Sequence, residues 1–139
     1  MLTSIHPILT GELLAHLDAM GHSDAVVLVD AHFPADRLAD RLLTFPGVAT
    51  PAVLTAVRTV VPLDEPPAID LMKSADGSRL AVHDELIAAA RAGEDEVRFL
   101  ARHDFYDVAA AAYLIVRTGE TRAYGNVVLR KGVVAPEAV

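Results

Sequence analysis

The 139-residue chain contains no cysteine and no tryptophan. Without cysteine, disulfides, thiolate catalysis and cysteine-ligated zinc sites are excluded. Long hydrophobic runs are missing too. The longest, Val108–Val116, has nine residues, whereas a membrane-spanning helix needs about 20. The sequence therefore predicts no membrane-spanning helix.

Positive charge is scarce. Lys and Arg total 12 against 19 Asp and Glu, which gives a net charge of −7. Nucleic acids and anionic membranes would be repelled, so a neutral or polar small molecule is the better expected partner. The first seven residues show neither the basic nor the apolar region of a signal peptide, and we expect a cytoplasmic location.

The common nucleotide-binding and catalytic motifs are also absent. The chain has no G-x-G-x-x-G, no Walker A loop, no G-x-S-x-G and no H-E-x-x-H. Asp30 and His32 could offer two metal ligands, which is too few for a convincing site. We therefore expect neither a metal nor a cofactor.

What is present is a chain that is 53% apolar and long enough for one domain over residues 1–139. Residues 25–29 are apolar without alternation, which is typical of a strand covered on both faces. Helical and strand patterns alternate, and this predicts a three-layer α/β/α domain with a mostly parallel sheet. The predicted strands are 25–29, 68–72, 97–101, 113–116 and 127–129; the predicted helices are 10–20, 34–38, 50–61, 82–92 and 104–112; residues 41–45 are ambiguous.

Glycines are expected to end two of these helices. Gly21 is interpreted as a left-handed stop after the first helix, and Gly93 as the end of helix 82–92. The remaining histidines, His6, His16 and His83, have no convergent partners in the sequence and are expected to be solvated.

Polar side chains cluster where the strands end. Ligands of open α/β sheets bind outside the carboxyl ends of strands. If the strands are parallel, these groups lie along one edge, although Asp30 could equally cap the helix that follows. The candidate residues are Asp30 and His32 after the first strand, Arg102, His103 and Tyr106 after another, Tyr124 and Asn126 before the last strand, and His22 before the first.

Four short blocks give the chain a resemblance to a known family. It resembles the L-fucose mutarotase / D-ribose pyranase family, and the L-fucose mutarotase branch in particular, over most of the chain. The blocks are Met20-Gly21-His22; Asp30-Ala31-His32-Phe33-Pro34; Arg102 with Phe105-Tyr106; and Thr118-Gly119-Glu120 followed by Tyr124-Gly125-Asn126 and Lys131-Gly132-Val133.

The resemblance implies roles for these residues. It implies that His22 is the proton donor and that Asp30 binds sugar. In the fucose branch an arginine stands 22 residues before the tyrosine of Tyr-Gly-Asn, as Arg102 does before Tyr124. The ribose branch has a histidine at the arginine position and Tyr-Ala-Asn later. Arg102, Gly125 and His32 therefore favour the fucose branch, whereas His103-Asp104 departs from its pattern.

The implied activity is a cofactor-free isomerase that interconverts the anomers of L-fucose or a similar aldose. Histidine can give or take a proton near neutral pH. Asp30 and Asn126 can bind sugar hydroxyls, Tyr124 can relay a proton, and Arg102 can donate to oxygens that gain charge. His32, Tyr106 and Gly125 complete the predicted sugar-binding set. A D-ribose pyranase and a non-catalytic sugar-binding or transport-associated protein are the alternatives.

The separation of His22 from Asp30 raises a question of geometry. Eight extended residues span up to about 26 Å, far more than one monosaccharide. Either residues 21–24 curl back, or two subunits complete each site. The resemblance implies a ring-shaped homo-oligomer, a pentamer or decamer, with sites near subunit contacts.

Overall fold

The computed structural model describes residues 1–139 and has a six-stranded sheet at its centre. The strands are β1 Ala25–Val29, β2 Leu42–Phe45, β3 Ile69–Met72, β4 Val97–Leu100, β5 Leu114–Thr118 and β6 Val127–Arg130. The helices are α1 Gly11–Ala19, α2 Ala35–Leu38, α3 Thr50–Arg58, α4 Ala81–Ala90 and α5 Arg102–Ala111, with 3₁₀ turns at Glu94–Glu96 and Pro136–Ala138.

The sheet order is β2-β5-β1-β6-β3-β4. β6 runs antiparallel to both of its neighbours, and the other five strands share one direction. Because β6 is reversed, its first residue lies at the edge where β1 and β3 end. The loop before β6 and the ends of β1 and β3 therefore meet at the carboxyl edge of the parallel strands.

Alternate residues of the strands face two apolar layers. The larger buries Val26 and Leu28 of β1 beneath α1, α3 and α4. The smaller buries Val27 and Val29 beneath α2 and α5. Burial on both faces explains the unbroken apolar run of β1. The predicted three-layer α/β/α architecture with a mostly parallel sheet is confirmed.

Two predicted helix ends are wrong. Met20 leaves α1 in an extended conformation, and the left-handed residue comes later, at Ser23, with φ 69°. α4 ends at Arg91, which is itself left-handed with φ 51°, before Gly93 is reached. The ambiguous residues 41–45 contain an edge strand, β2.

The expectation that His83 is solvated is also wrong. Its side chain is fully buried on α4, where Nε2 lies 2.9 Å from the carbonyl oxygen of Met72 and Nδ1 accepts from the Leu80 N–H. These two bonds tie the start of α4 to the end of β3.

No helix in the structure has the length and apolar character that a membrane crossing requires.

Candidate active site

A cavity of about 260 Å³ opens at the carboxyl edge of the sheet. Pockets for drug-sized ligands occupy about 300–1,000 Å³, so this one has the size for a small ligand such as a monosaccharide. It is lined by Asp30, His32, Phe33, Met72, Arg102, Tyr106, Ala123, Tyr124 and Asn126. Residues from four separate parts of the chain thus converge here.

Asp30 forms the floor of the cavity and is 3% exposed. Its Oδ1 accepts from the His32 N–H at 2.9 Å, and its own N–H donates to Asn126 Oδ1 at 2.8 Å. Burial raises the pKa of the Asp30 carboxyl, while bonds from His32 and Asn126 oppose that rise. Asp30 does not cap α2, since Pro34 occupies the position before that helix.

One wall of the cavity is aromatic. Phe33 packs edge-to-face against Tyr106, with ring centroids 5.3 Å apart, and against Phe105 at 5.9 Å. His103 meets the other side of Tyr106 at 5.8 Å. An aromatic wall beside polar groups suits a sugar, which presents C–H faces as well as hydroxyls. Phe33 was not singled out from the sequence, although it stands inside the Asp-Ala-His-Phe-Pro block.

Arg102 approaches from the first turn of α5, where its side chain is exposed and makes no hydrogen bond within the chain. Its guanidinium donors are free to contact a ligand. Across the cavity, the His32 imidazole lies 3.0 Å from the Thr121 carbonyl oxygen. His32 thereby links the loop after β1 to the loop before β6.

Buried hydroxyls hold the loop before β6. Thr50 donates to the Gly125 carbonyl oxygen at 2.8 Å, and the hydroxyls of Thr50 and Thr118 are 2.9 Å apart. Thr118 also donates to the Val29 carbonyl oxygen at 2.9 Å. This network joins α3, β5 and β1 behind the cavity. Gly125 lies in that supporting layer, behind the cavity wall.

Tyr124 has a left-handed backbone, with φ 65°. This conformation is uncommon for a bulky residue and is concentrated at functional sites. Glu120, only 4% exposed, braces the same loop: it pairs with Arg122 at 2.9 Å, and Arg122 also contacts Glu85 on α4. The Arg122 guanidinium lowers the pKa of the Glu120 carboxyl. Sequence analysis did not identify Thr50 or Glu120 as supports of the loop.

His22 lies elsewhere. It precedes β1, at the opposite edge of the sheet from Asp30, beside a second cavity of about 590 Å³. That cavity is lined by His22, Ser23, Leu63, Asp64, Glu65, Gly132 and Val133, none of which lines the first. Within one chain, the structure brings together the predicted sugar-binding residues except Gly125, which lies behind the cavity wall, and it leaves the predicted proton donor apart.

Comparison with known proteins gives the family. Residues 3–134 match the RbsD / FucU transport protein family. The chain belongs to this family. The chain is 38% identical to an L-fucose mutarotase of Histophilus somni (strain 2336), over 96% of this chain and 97% of that protein. An L-fucose mutarotase of Haemophilus influenzae (strain PittGG) is 37% identical over the same shares.

Solved structures agree. The fucose mutarotase from Streptococcus pneumoniae in complex with L-fucose superposes with a TM-score of 0.88 at 34% identity, covering 96% of this chain and all of that one. Bacillus subtilis RbsD complexed with D-ribose reaches 0.75 at 24% identity, covering 94% and 98%, which is a likeness of fold alone. The family that the four sequence blocks predicted is confirmed, and the relatives above that are more than 30% identical to this chain are named fucose mutarotases.

Proposed function

We propose that this RbsD/FucU family member is a cofactor-independent isomerase that interconverts the α and β anomers of L-fucose or a similar aldose. The observation that carries the proposal is the cavity at the carboxyl edge, in a chain 34–38% identical to fucose mutarotases over nearly its whole length. Hydroxyl-binding groups and an aromatic wall stand together there, as a monosaccharide requires.

The reaction needs two proton transfers. A base takes the proton of the anomeric hydroxyl, and the released electron pair forms the aldehyde C=O. The ring C–O bond breaks, and the ring oxygen takes a proton from an acid. Closure on the other face of the carbonyl reverses these steps. His22 is the proposed acid, Tyr124 relays the anomeric proton to solvent water, which acts as the base, and the Arg102 guanidinium stabilises oxygens that gain charge.

The remaining residues of the predicted site are proposed to bind the sugar. The ionised Asp30 carboxylate and the Asn126 amide accept from and donate to sugar hydroxyls. His32 and Tyr106 complete the polar rim, and Gly125 lets Tyr124 and Asn126 flank the sugar from one short segment. No group of three or more His, Cys, Asp or Glu side chains is arranged to hold a metal ion.

The position of His22 supports a site shared between subunits. β1 alone, with four Cα intervals of about 3.3 Å, separates its ends by about 13 Å, and His22 and Asp30 lie beyond those ends. A monosaccharide held by Asp30 is out of reach of His22 in the same chain. We therefore propose a ring-shaped homo-oligomer, a pentamer or decamer, in which His22 of one subunit completes the cavity of another.

The test is NMR saturation transfer between anomers, run on a panel of aldoses with EDTA-treated protein. We expect faster exchange of L-fucose with no added metal or nucleotide. Exchange at the buffer rate for L-fucose, together with acceleration for ribose, would identify a ribose pyranase instead. Saturable binding without acceleration of any aldose would identify a sugar-binding protein.

Two further parts of the proposal concern the whole chain. Residues 1–139 are proposed to form a single sugar mutarotase-like domain, which limited proteolysis tests through the absence of a stable shorter fragment. The cytoplasmic location stays a prediction, and cell fractionation tests it.

A further inference from the structure

His22 has a carboxylate partner that lies 42 positions later in the chain. His22 Nε2 is 3.0 Å from Asp64 Oδ1, and the Ser23 hydroxyl donates to Asp64 Oδ2 at 2.7 Å. The Asp64 side chain is 15% exposed, whereas that of His22 is 60% exposed. The imidazole is thus held at one nitrogen while most of the ring faces the cavity.

The backbone fixes both partners against the end of β6. Leu63 forms a β-bridge with Lys131, and the Asp64 N–H donates to the Arg130 carbonyl oxygen at 3.0 Å. On the other side, the Ser23 N–H donates to the Lys131 carbonyl oxygen at 2.9 Å. A Cβ at Gly132 would lie 2.2 Å from the Leu63 carbonyl oxygen, so only glycine permits this approach. The contact between His22 and Asp64 is therefore set by main-chain pairing.

Asp64 is ionised at neutral pH. Hydrogen bonds from the Ser23 hydroxyl, the Glu65 N–H and His22 lower the pKa of its carboxyl to about 2. An ionised carboxylate can only accept hydrogen bonds. The neutral imidazole must then carry its proton on Nε2, which leaves Nδ1 without one.

The other charged groups near His22 are engaged elsewhere or exposed. The Asp24 carboxylate accepts from the Gly21 N–H at 2.7 Å. Lys131 Nζ donates to the Leu17 and Met20 carbonyl oxygens, each at 2.7 Å. Glu65 lines the same cavity with an exposed side chain. Asp64 is the acidic side chain that contacts the ring.

We propose that Asp64 is a positioning residue: it accepts a hydrogen bond from the Nε2–H of His22, so that protonated His22 gives its Nδ1 proton to the sugar ring oxygen and the neutral ring left behind keeps its proton on Nε2. The inference rests on the proposed role of His22 and adds the residue that sets its tautomer and orientation. A buried or hydrogen-bonded carboxylate plays this part for other catalytic histidines, where its amide replacement favours the wrong tautomer.

Asp64→Asn tests the proposal, with Asp84→Asn as the matched control. Asp84 is an exposed carboxylate on α4 that pairs with Arg79 at 2.7 Å, away from both cavities. Three quantities are measured on each intact protein: the tautomer of His22 from its ring ¹⁵N chemical shifts, the anomer exchange rate of L-fucose, and the L-fucose dissociation constant.

In Asp64→Asn we expect the neutral His22 ring to shift towards the Nδ1–H tautomer. The exchange rate should fall by roughly 10- to 100-fold, part of the 10²–10⁴-fold that general acid–base catalysis supplies. The dissociation constant should change less than threefold, since Asp64 does not line the proposed sugar-binding cavity. Asp84→Asn should leave all three quantities at wild-type values.

A folded Asp64→Asn protein with an unchanged His22 tautomer would overturn the proposal, as would an unchanged exchange rate. If that variant does not fold, Ser23→Gly tests the proposal in its place. It removes the hydroxyl that donates to Asp64 Oδ2 at 2.7 Å, and glycine suits the left-handed backbone at position 23. It should move the three quantities in the same directions by smaller amounts, and no movement would count against Asp64. A wild-type protein that exchanges no aldose defeats the proposed function instead, while the NMR measurements still report on Asp64.

Discussion

Asp30 combines burial with charge, and the two conflict. Its carboxyl lies at the floor of the cavity, where burial raises its pKa. A group with a raised carboxyl pKa binds more protons in the folded state than in the unfolded chain. The free energy of unfolding therefore falls as pH rises from the unfolded value of about 3.9 through the folded one, and stays lower at neutral pH. At neutral pH, where the charged carboxylate is proposed to bind sugar, Asp30 therefore lowers the free energy of unfolding.

Asp30→Asn should accordingly separate stability from binding. The amide keeps an oxygen to accept from the His32 N–H but carries no charge, so the melting temperature at pH 7 should equal or exceed that of the wild type. Sugar affinity should fall roughly 10- to 100-fold, because a hydrogen bond to a charged group is worth about 1.5–3 kcal/mol. Thermal melts from pH 4 to 7 and sugar titration check this. Asp36→Asn, an exposed change on α2, is the control; a clearly lower melting temperature for Asp30→Asn would contradict the argument.

The positions of some side chains could be predicted from the sequence, and those of others could not. Asp30, Arg102 and Asn126 could be placed at one sheet edge, because each adjoins a strand end. The pairing of His22 with Asp64 could not, since the two residues are 42 positions apart and meet only through the bridge at Lys131. His83 was misjudged for a related reason: its partners, at the end of β3 and the start of α4, are defined only by the fold.

Some of the six strands and five helices are easier to predict from the sequence than others. β1 was predicted with its full bounds because burial on both faces leaves an uninterrupted apolar run. β3 was harder, since Asp70 interrupts its apolar pattern. The fully buried Asp70 carboxylate is compensated by Arg98 at 2.9 Å and Arg130 at 2.8 Å, a pairing across strands that no local pattern reveals.

The ends of helices and the direction of strands also depend on distant contacts. Gly21 was expected to supply the left-handed residue, but Ser23 adopts that conformation, where its side chain bonds to Asp64. β6 is antiparallel to β1 and β3, and the eight residues 119–126 carry the chain to it from β5, past β1. The sequence showed the turn residues of this loop but not which strand it would return beside.

The loop before β6 yields a prediction about Gly125. A Cβ at this position would lie 2.7 Å from Glu120 Cγ, and Glu120 cannot withdraw because Arg122 holds its carboxylate in a buried position. Gly125→Ala should lower the free energy of unfolding by about 1–3 kcal/mol, as overpacked sites do. It should also displace Tyr124 and Asn126 and so slow anomer exchange.

Gly47→Ala is the matched control for this change, because a Cβ there meets no atom within 4 Å. Urea unfolding and the exchange rate should both stay near wild-type values for the control. If Gly125→Ala were as stable and active as Gly47→Ala, the supporting role assigned to Glu120 and Gly125 would have to be abandoned.

The whole molecule has two cavities at opposite edges of the sheet, and they share no lining residue. The carboxyl edge holds most of the predicted sugar-binding residues, and the amino edge holds His22 with Asp64. β1 lies between them in the middle of the sheet and is buried from Val26 to Val29, so we expect no movement of the flanking loops to bring the two together. The proposed assembly would place the predicted proton donor beside the sugar, and activity would then depend on a pair of subunits.

Complementation between inactive variants tests this directly. His22→Ala should lower the exchange rate by roughly 10²–10⁴-fold, and Tyr124→Ala should also be inactive. Subunits of the two variants are mixed after mild dissociation and allowed to reassemble, with exchange of subunits verified by mass spectrometry. If each site combines His22 of one subunit with Tyr124 of another, some mixed contacts receive both intact groups, and we expect partial recovery of activity. If each site lay within one chain, every site would keep one lesion, and verified mixed oligomers would stay inactive.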